Sequence, residues 1–439
     1  RSLAAERDEN TYDLLAVSTL TPRQIINGKL GSAIVQMGVY FSAISPCLAF
    51  TYLLRGVDVV TILLLLSDVV LGSLGLSMIA IFMAAASNQK HGQVVISVAL
   101  VAGLMFVFYL AMQTAMEIVQ SGPRYTNDPD FWIAILFGLT IYATTMAILY
   151  FAAAGLITFA SANRSTPLRI AAFVQQICFL GWGGYFWLRE NLDPRMLVVI
   201  AVGMGIYWHL AGALLTGESS LLSRRVRRGL PQTGFGRLFG AWFQPGSGTG
   251  YVFAIVNLVA WSLLLVAANL FAIYWHQSQS RPTELQIVVF LVLGISYSVA
   301  YLGIGRILIT LLRRWTTVSM LGVFLIHFLL VLAGSGIPYV IQMTTPEMRN
   351  LEYSYLQITN PLWTLSYLIG YGSLPAETMR LLLLIPGAAI CLFLVNLPSV
   401  RRELQQGRVE LPQRVVEEEA ELHPEPETLP SSPWDMPEG

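Results

Sequence analysis

Residues 59–86 read VVTILLLLSDVVLGSLGLSMIAIFMAAA, a stretch with one charged side chain, Asp68. About 20 apolar residues in a helix suffice to cross the roughly 30 Å hydrocarbon core of a bilayer. A segment this uniformly apolar has no polar face to offer water, so it is read as a membrane span. The rest of the chain has the same character. Of its 439 residues, 55% are hydrophobic and 12% charged, against about 25% charged in soluble domains. A mean hydropathy of +0.62 says that the apolar residues come in long runs rather than alternating faces. The expected fold is all-α, a polytopic transmembrane helical bundle.

The same length rule places spans near 31–54, 59–86, 93–117 and 132–160, then near 169–188, 195–216, 250–275, 286–312, 317–341 and 379–398, about ten in all. Cytoplasmic loops retain Lys and Arg because translocating them is disfavoured. With residue 1 inside and sides alternating, 19 of the 26 basic residues fall inside, among them Arg224, Arg225, Arg227, Arg228 and Arg237, and 7 fall outside. Both ends of the sequence are therefore expected in the cytoplasm. The chain opens on RSLAAERDEN, without an initiator Met or an apolar leader, so its natural start is expected upstream.

Four regions follow from this partition: a cytoplasmic segment at 1–30, a four-span core at 31–162, six further spans at 163–400 with a basic cytoplasmic loop at 217–249, and a tail at 401–439. The tail is acidic and Pro-rich, too poor in apolar residues to fold alone, and is expected to be disordered. Between the last two spans, NPLWTLSYLIGYG carries Trp363, Tyr367 and Tyr371 at four-residue spacing. It is expected to lie flat at the membrane interface on the outer side. Cys47, Cys178 and Cys391 sit in apolar runs without metal spacing and read as small hydrophobes.

No G-x-x-x-x-G-K-[ST] phosphate loop is present; Gly28-Lys29 is followed by Leu30. No H-E-x-x-H occurs either, and His91, His209, His276, His327 and His423 are scattered. No catalytic residue, metal or cofactor is assigned, and a neutral net charge gives no reason to expect nucleic acid. The glycine-rich GSGTG at 246–250 reads as a flexible hinge in preference to a phosphate cradle. Ionisable residues inside spans are expensive and are functional candidates by default. Asp68 is the deepest, with Glu117, His209 and His327 behind it. A structural hydrogen bond to a neighbouring helix is the plainer role for Asp68, and polar packing the plainer role for the two histidines.

The opening stretch ERDENTYDLLAVSTLTPRQIINGKLGSA is too polar up to about Ser18 to enter the membrane, and reads as a short cytoplasmic helix. Thr21, Pro22 and Gln24 then form a capping-box start for the first span. On Glu6-Arg7, Thr11-Tyr12-Asp13-Leu14-Leu15, Thr19-Leu20-Thr21-Pro22, Ile25 and Gly28-Lys29-Leu30, residues 1 to about 160 resemble the type-2 ABC-transporter permeases. These are the membrane subunits of ATP-driven exporters.

The resemblance implies that this segment is similar to the coupling helix that docks in a cleft of a separate ATPase subunit. Tyr12, Leu14 and Leu15 would fill that cleft, Glu6 and Arg7 would line its rim, and Thr11, Thr21 and Pro22 would complete the interface. It also implies two spans upstream of Arg1, a second permease half or a homodimeric partner, membrane lipid as surroundings, and a bacterial cytoplasmic membrane as location. Two other readings stay open. A lipid- or glycan-modifying membrane enzyme would draw on Asp68, Glu117, His327 and the Trp363 segment. An ion-coupled transporter would rest on Asp68 near Gly72 and Gly75.

Overall fold

The computed structural model describes residues 20–53, 59–86, 127–159, 162–218, 240–276, 282–316, 318–346, 353–371, 383–406 and 413–422, with isolated positions at 226 and between 98 and 116. Eleven α-helices run through these segments: α1 Pro22–Leu53, α2 Val59–Ala86, α3 Pro129–Ile157, α4 Thr166–Arg189, α5 Pro194–Leu215, α6 Ser247–His276, α7 Pro282–Leu312, α8 Met320–Thr344, α9 Pro361–Tyr371, α10 Leu384–Gln406 and α11 Gln413–Leu422. Among the described residues there is no strand. The protein is an all-α polytopic bundle.

Eight of these helices (α1, α2, α3, α5, α6, α7, α8 and α10) are long and apolar enough to cross a membrane. Helix α4 matches the expected span at 169–188, with Arg169, Gln175 and Gln176 diluting its apolar character. The expected span at 93–117 lies largely outside the described residues, with helical backbone at 101–106.

Proline at the first helical position and a polar cap before it define the starts. The Asp128 carboxylate accepts from the backbone N–H of Asp130 before α3, and Asp193 from that of Arg195 before α5, at 3.0 and 2.9 Å. Each cap satisfies a donor that the first helical turn leaves orphaned, and Pro at that position loses nothing because its N–H would have no partner.

Helices α1, α2 and α3 pack together on a small core of Ile26, Met78, Ala153 and Ala154, and the Tyr142 hydroxyl donates to Leu71 O at 2.7 Å to tie α3 to α2. Helix α3 then packs along α4, where the Gln175 amide donates to the hydroxyls of Thr144 and Thr145. The remaining helices form a denser body around α7, which touches α5, α6, α8, α9 and α10. In their most apolar stretches, 50% and 56% of the residues of α6 and α7 are buried, against none in α1 and α3. The first three helices therefore present most of their apolar surface outward, to acyl chains or to other protein.

Two expectations are corrected here. The segment after α8 does not lie flat at the surface. Residues 355–359 form a 3-10 turn leading into α9, and this piece folds back between α7 and α8. Tyr301 donates to Thr359 O, Thr359 to Gly334 O, and the Asn360 amide to Ser335 O. Gly334 lies ten residues from the end of α8, about 15 Å at 1.5 Å per residue, so the turn is re-entrant. Trp363 and Tyr367 are half-buried against Tyr339 and Tyr353. Irregular backbone at such depth is tolerated only when protein groups satisfy it, and here they do. Thr364 accepts from Tyr297 and donates to Gln357 O. The side chains of Ser354 and Gln357 both donate to Gln342 Oε1.

The second correction concerns the tail. Residues 401–406 continue α10, with Glu403 buried, because a buried guanidinium holds that carboxylate. Residues 413–422 form α11, with Arg414 and Glu418 paired one turn apart at 3.4 Å. Residues 407–412 and 423–439 lie outside the described residues.

Candidate functional site

Of the expected ATPase-contacting residues, Glu6, Arg7, Thr11, Tyr12, Leu14 and Leu15 lie outside the described residues. Thr21 and Pro22 stand at the start of α1. The Thr21 backbone N–H donates to Gln24 Oε1 at 2.8 Å, and the Gln24 N–H returns to Thr21 Oγ1 at 3.4 Å. This is the reciprocal capping box read from the sequence, and it sets where the first span begins. One turn later Ile26 is fully buried in the α1–α2–α3 core, and Arg23 lies over the Phe151 ring of α3 at 5.6 Å. The entry of α1 is thereby fixed to the end of α3.

At the same end of the bundle the structure brings together charges that stand far apart in the sequence. Arg169 in the first turn of α4 pairs with Glu218, just beyond α5, at 2.7 Å, and Arg306 of α7 pairs with Glu403 of α10 at 2.9 Å. All four side chains are buried or nearly so. Both pairs close on residues 244–250, the glycine-rich stretch at the head of α6. Gly246 N–H donates to Glu218 at 2.8 Å, and Gly248 N–H to Glu403 at 2.7 Å. Arg169 donates to Trp242 O and Gly246 O, and Arg306 to Ser247 Oγ, Asn396 Oδ1 and Ser399 Oγ.

This geometry overturns the reading of GSGTG as a flexible hinge. Gly246 has φ +148°, a conformation side chains rarely adopt. A Cβ on Gly250 would stand 2.7 Å from Leu215 Cβ, so α5 and α6 approach more closely there than any side chain allows. The positive N-terminal end of α6, a ready anion site in general, is occupied by the protein's own two carboxylates. The loop is a clamped junction of five helix ends. Beside it, Arg313 donates to the carbonyls of Gly217 and Glu218. Burial pulls its pKa below the usual guanidinium value, and the Glu403 carboxylate opposes that shift.

A signal for the clamp exists in the sequence. Arg306 interrupts the apolar run GIGRILIT and Arg169 the run TPLRIAAF, and a charge in such a run asks for a buried partner. The partners stand 97 and 49 residues away, which spacing alone does not reveal.

The intramembrane candidates do not converge. Asp68 is exposed on α2, without the expected partner among the described residues. Ser67 beside it donates back to Leu63 O. His327 Nε2 meets Thr216 Oγ1 at 2.9 Å, joining α8 to the end of α5, while its Nδ1 and the Nε2 of His209 are buried without a hydrogen bond. Glu117 lies outside the described residues. The thiols of Cys47, Cys178 and Cys391 are free.

Residues 1–159 match the family model described as CcmB protein, a family of membrane permeases of ABC-type transporters. The match ends two residues beyond α3 and takes in less than half of the chain; residues 160–439 lie outside it. No curated protein and no solved structure matches this chain. The ABC permease resemblance read from the sequence is thus supported over almost the same residues, at the level of the permease family rather than of its type-2 class.

Proposed function

We propose that this chain is the membrane subunit of an ATP-driven exporter of the type-2 class, moving its substrate with energy from ATP hydrolysed by a separate ATPase subunit. The observation that carries this reading is the match of residues 1–159 to an ABC permease family, over the stretch that holds the coupling-helix motif. In this account the segment Glu6–Leu20 is cytoplasmic and docks on the ATPase. Tyr12, Leu14 and Leu15 fill an apolar cleft, and Glu6 and Arg7 pair at its rim. The chain performs no covalent chemistry.

Displacement of the docked segment acts first on the capped turn at Thr21, which is continuous with α1. Ile26 and Arg23 transmit it to the end of α3 through the packing described above. From there a short connection leads to α4, whose first turn carries Arg169 in the clamp at Gly246. The clamp makes the cytoplasmic ends of α4 to α7 and α10 move as one body, so that opening occurs along the α3–α4 seam. A second permease half, or a second copy, packs on the outward apolar faces of α1 and α2. Asp68 belongs to that contact, because a carboxylate turned to hydrocarbon costs roughly 2.5–3.5 kcal/mol.

The test is co-purification of the full chain with its ATPase subunit. Replacing Leu14 and Leu15 by Asp is expected to abolish it while leaving the chain in the membrane; retained binding would sink the assignment. Heme, the cargo named for the matched family, is the first substrate to assay with that complex.

A further inference from the structure

Where α1, α3 and α4 meet there is a crevice of about 490 Å³. Its walls are apolar, from Ala147 and Phe151 of α3 and Ile170 and Val174 of α4, and one charged side chain, Arg23, lines it. Ile170 and Val174 are about half exposed, so the crevice is open on the side that faces the bilayer.

We propose that this crevice is a binding site for one phospholipid with an anionic headgroup, drawn from the leaflet on the side where α1 begins. Three observations point to that occupant. Arg23 is the second residue of α1 and sits at the level where spans enter the membrane, which is headgroup depth. Its guanidinium rests on the Phe151 ring and has no carboxylate partner among the described residues, so its donors are open to a phosphate, the geometry guanidinium groups favour. Asn163 beside it is committed to capping, accepting from the N–H groups of Ser165 and Thr166, which leaves the charge of Arg23 as the recognising feature.

The depth also fits. The crevice reaches Thr144, seven residues along α3 from Phe151, the ring on which Arg23 rests, or about 10 Å at 1.5 Å per residue. One leaflet contributes about 15 Å of hydrocarbon, so an acyl chain hung from Arg23 spans the groove. Its floor is polar: the Gln175 amide donates to Thr144 and Thr145 there, which closes the groove towards the middle of the bundle. A lipid wedged between α1, α3 and α4 would fill the seam between the family-matched portion and the rest of the bundle.

The test is native mass spectrometry of the full chain released from detergent, titrated with dioleoyl phosphatidylglycerol, with dioleoyl phosphatidylcholine, and with glycerol phosphate as the free headgroup. One phosphatidylglycerol adduct is expected, favoured over phosphatidylcholine by about fivefold, the factor one basic side chain confers towards an anionic membrane surface. Glycerol phosphate, lacking a chain for the groove, should not compete. Arg23→Ala should erase the preference and Arg23→Lys should keep it. Ala147→Trp, which leaves Arg23 in place and fills the groove, should remove the adduct, with thermal unfolding of each variant read alongside. A preference that survives Arg23→Ala, an adduct that survives Ala147→Trp, or competition by glycerol phosphate overturns the proposal.

Discussion

Glu403→Ala removes two contacts at once: the 2.9 Å pairing with Arg306 and the 2.7 Å hydrogen bond from Gly248 N–H. Removing one partner of a buried pair costs about 3–5 kcal/mol, chiefly through the charge left behind. Arg306 would keep Ser247 Oγ, Asn396 Oδ1 and Ser399 Oγ as neutral acceptors, which places the loss at the lower end, about 3 kcal/mol. Arg306→Met strands the Glu403 carboxylate instead and should cost a similar amount. The double replacement Arg306→Met with Glu403→Leu leaves no stranded charge. It should cost no more than about 1–2 kcal/mol, because a buried pair exchanged for apolar groups is often close to neutral. Equilibrium unfolding of the full chain in mixed micelles with increasing dodecyl sulfate, followed by tryptophan fluorescence, measures each variant. The exposed pair Arg189–Asp130, at 2.6 Å, is the internal comparison, and Arg189→Ala should leave the unfolding transition close to that of the parent chain, because solvent screens such a pair. A loss below about 1 kcal/mol for Glu403→Ala, or costs that simply add in the double variant, would refute the view that this end of the bundle is held by a buried charge clamp.

Gly250→Ala should destabilise by about 1–3 kcal/mol through overpacking against Leu215, whereas Gly336→Ala in α8, where an added Cβ meets nothing within 4 Å, should stabilise by about 0.5–1 kcal/mol; the same unfolding titration reads both. Thr364→Val should cost about 1–3 kcal/mol, because the hydroxyls of Tyr297 and Tyr353 both meet Thr364 Oγ1. Ser366→Ala, exposed on the same helix, should change stability by less than about 0.5 kcal/mol.

The spans were legible because each is a run that only a bilayer solvates, and the start of α1 because Thr21, Pro22 and Gln24 carry a local rule that needs no tertiary information. The re-entrant turn was not. A four-residue aromatic spacing describes an interfacial helix and a packed one equally well, and what decides between them is Tyr339 and Tyr353, which arrive from other parts of the chain. The clamp escaped for a related reason. Counting the Lys and Arg residues side by side hides that Arg169 and Arg306 are buried, since Glu218 and Glu403 reach them only through the packing of α4 to α7 and α10. The GSGTG stretch was misread on the same account, because flexibility inferred from glycine content ignores what closes around it. Asp68 was visible as an anomaly, and the structure sharpens it by placing it on an outward face of α2.

The central claim, that the segment before Thr21 docks on an ATPase, is tested most directly by proximity. With Tyr12→Cys carrying a thiol-linked benzophenone, irradiation of membranes containing the chain and its ATPase subunit should give one covalent product of their combined mass. The same label at Tyr274→Cys, an exposed position near the opposite end of α6, should give none. No product at position 12, or equal products at both, would contradict the account.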